Sequence, residues 1–162
     1  MTKTNAMRIL EKLGVPFSVH AYEENPGHLP GRGLAEAAAE KAGLPPERVF
    51  KTVVMRSSSA EILVFCVPAA SEVNLKKARA AAGVKDLRPL KPEELPAATG
   101  YIRGGCSPVG MKRPYRTFID GSAAGFGSVF VSAGVCGMQM ELAPADLVRA
   151  ANAVLCDVAG DA

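Results

Sequence analysis

No tryptophan occurs in the chain, histidine is present only at His20 and His28, and the four cysteines, Cys66, Cys106, Cys136 and Cys156, are scattered without a C-x-x-C pair. Those shortages exclude a zinc site built on the usual spacing of thiolates and imidazoles, so neither a metal nor another cofactor is expected. Long apolar runs are missing as well. The longest, Ile62 to Ala70, is broken by Pro68 and is far too short to cross a bilayer. Met1-Thr2-Lys3-Thr4-Asn5 leads into a charged helical pattern with no apolar signal core, so the expectation is a cytoplasmic protein with reduced thiols and no membrane partner. There is no Walker A loop, dinucleotide fingerprint, H-E-x-x-H or G-x-S-x-G, which removes the nucleotide-cofactor, metalloprotease and serine-hydrolase classes that these motifs mark. A block of Arg and Lys is also absent. The net charge of +3 and pI near 8.7 permit contact with a polyanion, but an RNA partner has to be read through a local site.

What is present fits one domain over residues 1–162, with nearly half the residues hydrophobic and so a sizeable core. Thr4 predicts the cap of a helix with Ala6, Ile9, Leu10 and Leu13 on one face, stopped at Gly14. Phe17 to Tyr22 alternates as a strand, with Ser18, His20 and Tyr22 on one side. Glu23 to Gly33 reads as a loop containing His28, and Leu34 to Ala42 as an alanine-rich helix closed by Gly43. Val49 to Met55 is a strong strand signal. Ile62 to Val67 is a continuous apolar strand of the kind buried on both faces. Asn74 predicts a helix cap for a helix running to Ala82. Lys85 to Leu90 reads as a short extended piece, and Pro92-Glu93-Glu94-Leu95 as an acidic first turn. Arg116 to Asp120 reads as a strand ending at an Asp-Gly turn, followed by strands over Ser128 to Ser132 and Met138 to Leu142 and a helix from about Pro144 to Val154. Helices and strands without a βαβ rhythm predict an α+β fold: a mixed, curved, barrel-like sheet surrounded by helices.

The stretch Gly100-Tyr101-Ile102-Arg103-Gly104-Gly105-Cys106-Ser107-Pro108-Val109-Gly110 carries three glycines and a proline in its last seven residues. It is a shaped loop, either a tight connector or a wall where backbone N–H groups meet an oxygen of a ligand. Lys51 lies inside an apolar strand. On a solvated face it is ordinary; lining a cleft, it is a fixed cation for a phosphate, a carboxylate or a developing oxyanion. Tyr22 is either half-buried structure or a contact for a base or carbonyl. Asp120 either makes its turn, orients Lys51 or binds an amino group. Lys112, Arg113 and Arg116 form a basic edge, solvated or on a phosphate. Cys106 is a packed thiol rather than a nucleophile, and no serine has triad partners.

The Lys51-Thr52 strand, the strand end at Tyr22, the Gly-Gly-x-Ser-Pro-x-Gly core of the loop, Phe118-Ile119-Asp120 and Val131-Ser132-Ala133-Gly134 together resemble the YbaK/EbsC family, relatives of the editing domain of bacterial prolyl-tRNA synthetase. The resemblance runs from about Thr4 to Asp157. It implies a single editing-type domain that cleaves the ester of mischarged tRNA, Cys-tRNA(Pro) foremost, by a hydrolase- or lyase-like, substrate-assisted route. The partners implied are the tRNA acceptor end and prolyl-tRNA synthetase. Within the family the alternatives are an editor clearing alanine or another small amino acid, or an inactive module binding tRNA or a synthetase. The resemblance makes Lys51 the essential lysine, and it implies substrate contacts at Tyr22, Thr52, Gly104, Gly105, Ser107, Pro108, Gly110, Asp120 and Ser132. One departure stands out. Related sequences often carry a basic pair where this chain has Val135-Cys136, a departure that bears on a phosphate contact and on tRNA preference there and not on the pocket itself.

An aminoacyl ester is already activated, so a site need only orient it and donate hydrogen bonds to the oxyanion. A cysteinyl ester adds its own thiol, whose attack on the carbonyl releases a thiolactone.

Overall fold

The computed structural model describes residues 2–22, 39–40 and 42–160. The predicted loop from Glu23 to Gly33, with His28, and most of the helix from Leu34 lie outside the described residues. Helix α1 (Asn5–Lys12) begins as predicted: the Thr4 hydroxyl accepts the Met7 N–H, and Ala6, Met7 and Leu10 are buried. Strand β1 (Ser18–Ala21) follows. A 3₁₀ turn at Pro46–Arg48 delivers the chain into β2 (Phe50–Arg56), which turns back into β3 (Ile62–Pro68). Short β4 (Glu72–Val73) leads to α2 (Leu75–Ala82), capped by the Asn74 side chain and closed by Gly83. Then come β5 (Arg88–Pro89), a 3₁₀ turn at Pro92–Glu94 and α3 (Leu95–Thr99). Beyond the glycine loop lie β6 (Arg116–Asp120), β7 (Val129–Ser132), β8 (Met138–Leu142), α4 (Pro144–Ala151), β9 (Ala153–Cys156) and β10 (Ala159–Gly160).

The strands make three sheets, in the orders β5-β2-β3-β6-β9, β1-β8-β7 and β10-β4. The largest is mixed: β2 and β3 are antiparallel, whereas β3, β6 and β9 run parallel. The α+β architecture stands, but the barrel-like description does not. Between the two larger sheets the described strands share only a single parallel bridge, Val49 to Phe130, not a ladder, and neither sheet closes on itself.

One further reading is corrected. The last helix stops at Ala151 because Asn152 takes a left-handed conformation (φ +50°), after which Ala153–Cys156 pairs with β6 as a strand. The strand over Arg116–Asp120 ends at its Asp-Gly pair as predicted, where a 3₁₀ turn over Gly121–Gly125 opens with the Asp120 side chain accepting the Ser122 N–H.

Strand alternation divides the core. Phe50, Val54, Val64, Cys66 and Ile119 face a cluster with Val131, Met140 and Leu147. Leu63, Phe65, Val67 and Phe118 face the other way, under Ala78 and Ala82 of α2, with Phe65 and Phe118 stacked at 5.2 Å. Strand β3 is therefore buried on both faces, as its unbroken apolar sequence implies.

Candidate active site

Lys51 lies on the α2 side of β2, the same side as Val49 and Val53. Its parallel bridge to Phe130 sets Val49 beside β7, so two residues on, Lys51 comes level with Ser132. Ser132 pairs in turn with Gln139 on β8, and Gln139 with His20 on β1. One continuous surface thus runs from Lys51 through Ser132 and Gln139 to His20, with Tyr22 two residues beyond on the same side of its chain. The Tyr22 N–H donates to the Gly137 carbonyl at 2.9 Å, which fixes this strand end to the β7–β8 turn.

The glycine loop reaches the same turn from another direction. A Cβ on Gly105 would stand 2.9 Å from the Cys136 amide nitrogen and 3.0 Å from the Val135 carbonyl carbon, so loop and turn are stacked backbone against backbone. The loop is held in shape by side-chain hydrogen bonds. The Tyr101 hydroxyl donates to the Val109 carbonyl at 2.7 Å, and Asn5 donates to the Gly110 carbonyl at 2.8 Å. The Ser107 hydroxyl, fully buried, accepts the Val109 N–H, and Pro108 is buried with it. Gly110 has φ +82° and leaves room for the Tyr101 hydroxyl, 2.8 Å from where a Cβ would sit. Not every N–H of this wall faces outward: that of Gly105 donates to Ile102. Gly104 is exposed beside it.

Lys51, Ser132, Tyr22 and the Gly104–Gly105 edge are therefore gathered around the β7–β8 turn. Thr52 is not gathered with them. Strand alternation turns it to the opposite face, where its hydroxyl lies 3.8 Å from the Cys66 sulfur. Ser107, Pro108 and Gly110 shape the loop from within.

Lys51 is one-fifth exposed and its Nζ stands 3.5 Å from Glu72. Its acidic neighbour is Glu72 and not Asp120. The Asp120 carboxylate instead accepts the N–H groups of Ser122, Val158 and Ala159, tying the end of β6 to the final strand. Burial opposes its charge, but these hydrogen bonds prevail and hold its pKa below the ordinary range. A lowered folded-state pKa contributes stability that is present above the unfolded value, about 3.9, and is lost as pH falls through the folded value. Asp120→Asn is expected to lower the thermal midpoint at pH 7 and to flatten the decline of stability below about pH 4, as acid titrations of unfolding will show.

The remaining candidates are accounted for. His20 bonds Glu141 at 2.9 Å, and Glu141 also accepts the Ser128 hydroxyl while Arg48 approaches at 3.5 Å and covers the Phe130 ring. Ser128 and His20 both meet the carboxylate and not each other, so they form no nucleophile–base pair. Of the basic edge, Arg116 is engaged by a bidentate pair with Glu61, whereas Lys112 and Arg113 are exposed. Burial raises the Cys106 thiol to about 11 and the Cys66 thiol to about 12. Neither supplies a thiolate near neutral pH. Among the described residues no three His, Cys, Asp or Glu side chains form a metal cluster, and no helix is long and apolar enough to cross a membrane. Sequence reasoning missed two residues here, the clamp Tyr101 and the buried Gln139. Both are ordinary strand or loop residues until the sheets flank them.

The fold and this surface define a class, that of the aminoacyl-tRNA editing domains, which act on mischarged tRNA; that family's model matches residues 30–150, and the chain belongs to the family. Within it, the chain is 38% identical over 156 residues to EbsC of Enterococcus faecalis, a candidate Cys-tRNA(Pro)/Cys-tRNA(Cys) deacylase, covering 96% of this chain and 93% of EbsC. Proline–tRNA ligase of Ralstonia pickettii is 32% identical over 110 residues, which are 65% of this chain but 19% of the ligase. The crystal structure of a candidate trans-editing enzyme for prolyl-tRNA synthetase has the same fold, with a TM-score of 0.82 at 24% identity over 99% of both chains. The chain is an aminoacyl-tRNA deacylase of this family.

Proposed function

We propose that this deacylase removes cysteine from Cys-tRNA(Pro) in trans, in the cytoplasm and alongside prolyl-tRNA synthetase. The observation that carries the site is Lys51: a lysine on a half-buried strand that runs beside Ser132 of β7, with no serine or cysteine paired to a base beside it among the described residues. Lys51 holds the ester and the terminal nucleotide. Tyr22 flanks the ribose end, Ser132 lines the acyl group, and the Gly104–Gly105 edge limits its size. Ser107, Pro108 and Gly110 act by shaping that edge, Thr52 by its place in the strand, and Asp120 by anchoring β6.

With Cys66 and Cys106 buried and protonated and the Cys136 thiol donating to the Arg103 carbonyl at 3.6 Å, the thiol assigned to the attack is the substrate's own. Its sulfur bonds to the ester carbonyl carbon, the carbon–oxygen bond to the ribose breaks, and the thiol proton ends on the departing ribose oxygen. The product is a thiolactone, which water opens. Such a route makes the amino acid's chemistry part of the selectivity, which a pocket discriminating by one methylene supplies only at about 1–3 kcal/mol.

The test is deacylation of Cys-tRNA(Pro) set against Ala-tRNA(Pro) and Ser-tRNA. Rapid release of cysteine alone supports the proposal, and rapid release of alanine assigns the nucleophile to water and refutes it. Cys106→Ala is expected to keep its rate within about threefold, and a loss of activity there contradicts a site without a protein thiol nucleophile.

A further inference from the structure

Gln139 lies at the centre of the surface described above, with Ser132 opposite on one side and His20 on the other. It is only 6% exposed, and its Oε1 is buried with no hydrogen-bond partner, the one such side-chain atom among the described residues. Both lateral neighbours have turned elsewhere: the Ser132 hydroxyl accepts the Gly134 N–H, and the His20 ring meets Glu141. Buried amide oxygens are almost always paired, and an orphan in a native fold marks a place where the partner comes from outside or where strain is stored. Glutamine is also a weak choice for that position on packing grounds, since leucine or methionine fills the same volume without an unmet acceptor.

We propose that Gln139 is a substrate-binding residue whose Oε1 accepts a hydrogen bond from the α-ammonium group of the aminoacyl ester; this rests on the editing reading above. An acceptor needs a donor. On the aminoacyl group the ester oxygens only accept, the cysteine thiol is a weak donor, and the α-ammonium carries three strong N–H donors. Lys51 on β2 and Gln139 on β8 lie to either side of β7, which carries Ser132 and meets β2 at the Val49–Phe130 bridge. Lysine on one side and glutamine on the other complement the two ends of the reacting group: cation to ester oxygen, amide oxygen to ammonium. A rotation of the glutamine side chain carries Oε1 from the wall to the ligand. The recognition is of the amino-acid backbone, common to every aminoacyl-tRNA, so it positions the ester and leaves the side-chain preference to the rest of the pocket.

The test compares two esters of the same tRNA, one of cysteine and one of 3-mercaptopropionate, which keeps the thiol and lacks the α-amino group. Each rate is divided by that ester's uncatalysed rate. Wild-type protein is expected to favour the cysteinyl ester by about 10–100-fold. Gln139→Met is expected to lose that preference by slowing the cysteinyl ester alone, while its thermal midpoint stays at or above the wild type because an unmet polar atom is gone. Gln139→Glu keeps the shape and an acceptor and is expected to retain the preference; it carries the test if the methionine variant does not fold. A Gln139→Met protein that keeps the preference, or slows both esters equally, overturns the proposal, as does loss of preference in Gln139→Glu. If the wild type turns over both esters without preferring either, this proposal falls and the editing reading stands, whereas no turnover of either ester refutes both.

Discussion

Lys51→Ala is expected to fold normally and to lose deacylation by about 10²–10³-fold, the scale set by removing one charge or donor aimed at a developing oxyanion. The two halves of that expectation have separate physical origins. Stability depends little on Lys51, because its close acidic partner among the described residues is Glu72 at 3.5 Å and the two side chains are 20% and 36% exposed. Pairs of that kind contribute at most about 1 kcal/mol. The neighbours that hold β2 in place, Phe50, Val54 and Met55, are buried apolar residues that the substitution leaves alone. Catalysis depends on Lys51 heavily because no other cation shares its stretch of strand: Arg48 is engaged with Ser128 and Glu141, and Arg56 with Glu94. Lys51→Arg is a sharper probe. It keeps the charge but spreads it over a planar fork that needs more room than a compact ammonium, so it should recover only part of the lost rate. A Lys51→Ala protein that deacylates at the wild-type rate, with circular dichroism and thermal midpoint unchanged, removes Lys51 from the mechanism.

Much of the fold is legible in the chain because the strongest signals are local. Thr4 and Asn74 cap helices where their side-chain oxygens meet the N–H of the third helical residue, and Ile62 to Val67 reads as a doubly buried strand from its own six residues. The misreadings come from longer range. Ala153 to Cys156 continues a helical pattern in sequence, and only the left-handed Asn152 and the exposed edge of β6 make it a strand. A barrel is a natural extrapolation from several short strands; it fails on how the sheets join, a single bridge at Val49, which no local pattern encodes. The same division holds for the site. Lys51 is conspicuous as a cation inside an apolar strand, and the glycine loop as a segment that neither a helix nor a strand accommodates. Asp120 is equally conspicuous, yet its carboxylate is consumed by N–H groups from Val158 and Ala159, 38 and 39 residues away in sequence. Gln139 is the reverse case. One glutamine between two methionines in a strand carries no signal until β1 and β7 close over it from both sides.

Gly105→Ala is expected to abolish most of the activity and to cost about 1–3 kcal/mol of stability, and the two losses should appear together. The added methyl would lie 2.9 Å from the Cys136 nitrogen and 3.0 Å from the Val135 carbonyl carbon. Both are backbone atoms, so no side-chain rotation relieves the contact. The loop or the turn has to move. The loop resists, since Tyr101 clamps Val109 and Asn5 clamps Gly110. The turn is therefore the part that gives way. It is bracketed by Ser132 on one side, and on the other its Gly137 carbonyl holds Tyr22 at 2.9 Å, so its displacement shifts two of the groups placed around the substrate at once. Misplacing reacting groups by about 1 Å costs on the order of 10²-fold in rate. Gly110→Ala is the control that separates strain from site geometry. Its added methyl meets the far ends of the Tyr101 and Asn5 side chains, at 2.8 and 2.9 Å, in a left-handed conformation, so it loosens the clamp and reaches the turn only through the Tyr101 ring, which lies over Gly134, rather than backbone against backbone. It should destabilise to a similar degree while retaining more activity. If the two variants lose activity in proportion to stability alone, the contact between loop and turn is packing and not part of the catalytic surface. If Gly105→Ala loses far more, the glycine is there to let one wall of the site lie directly on another.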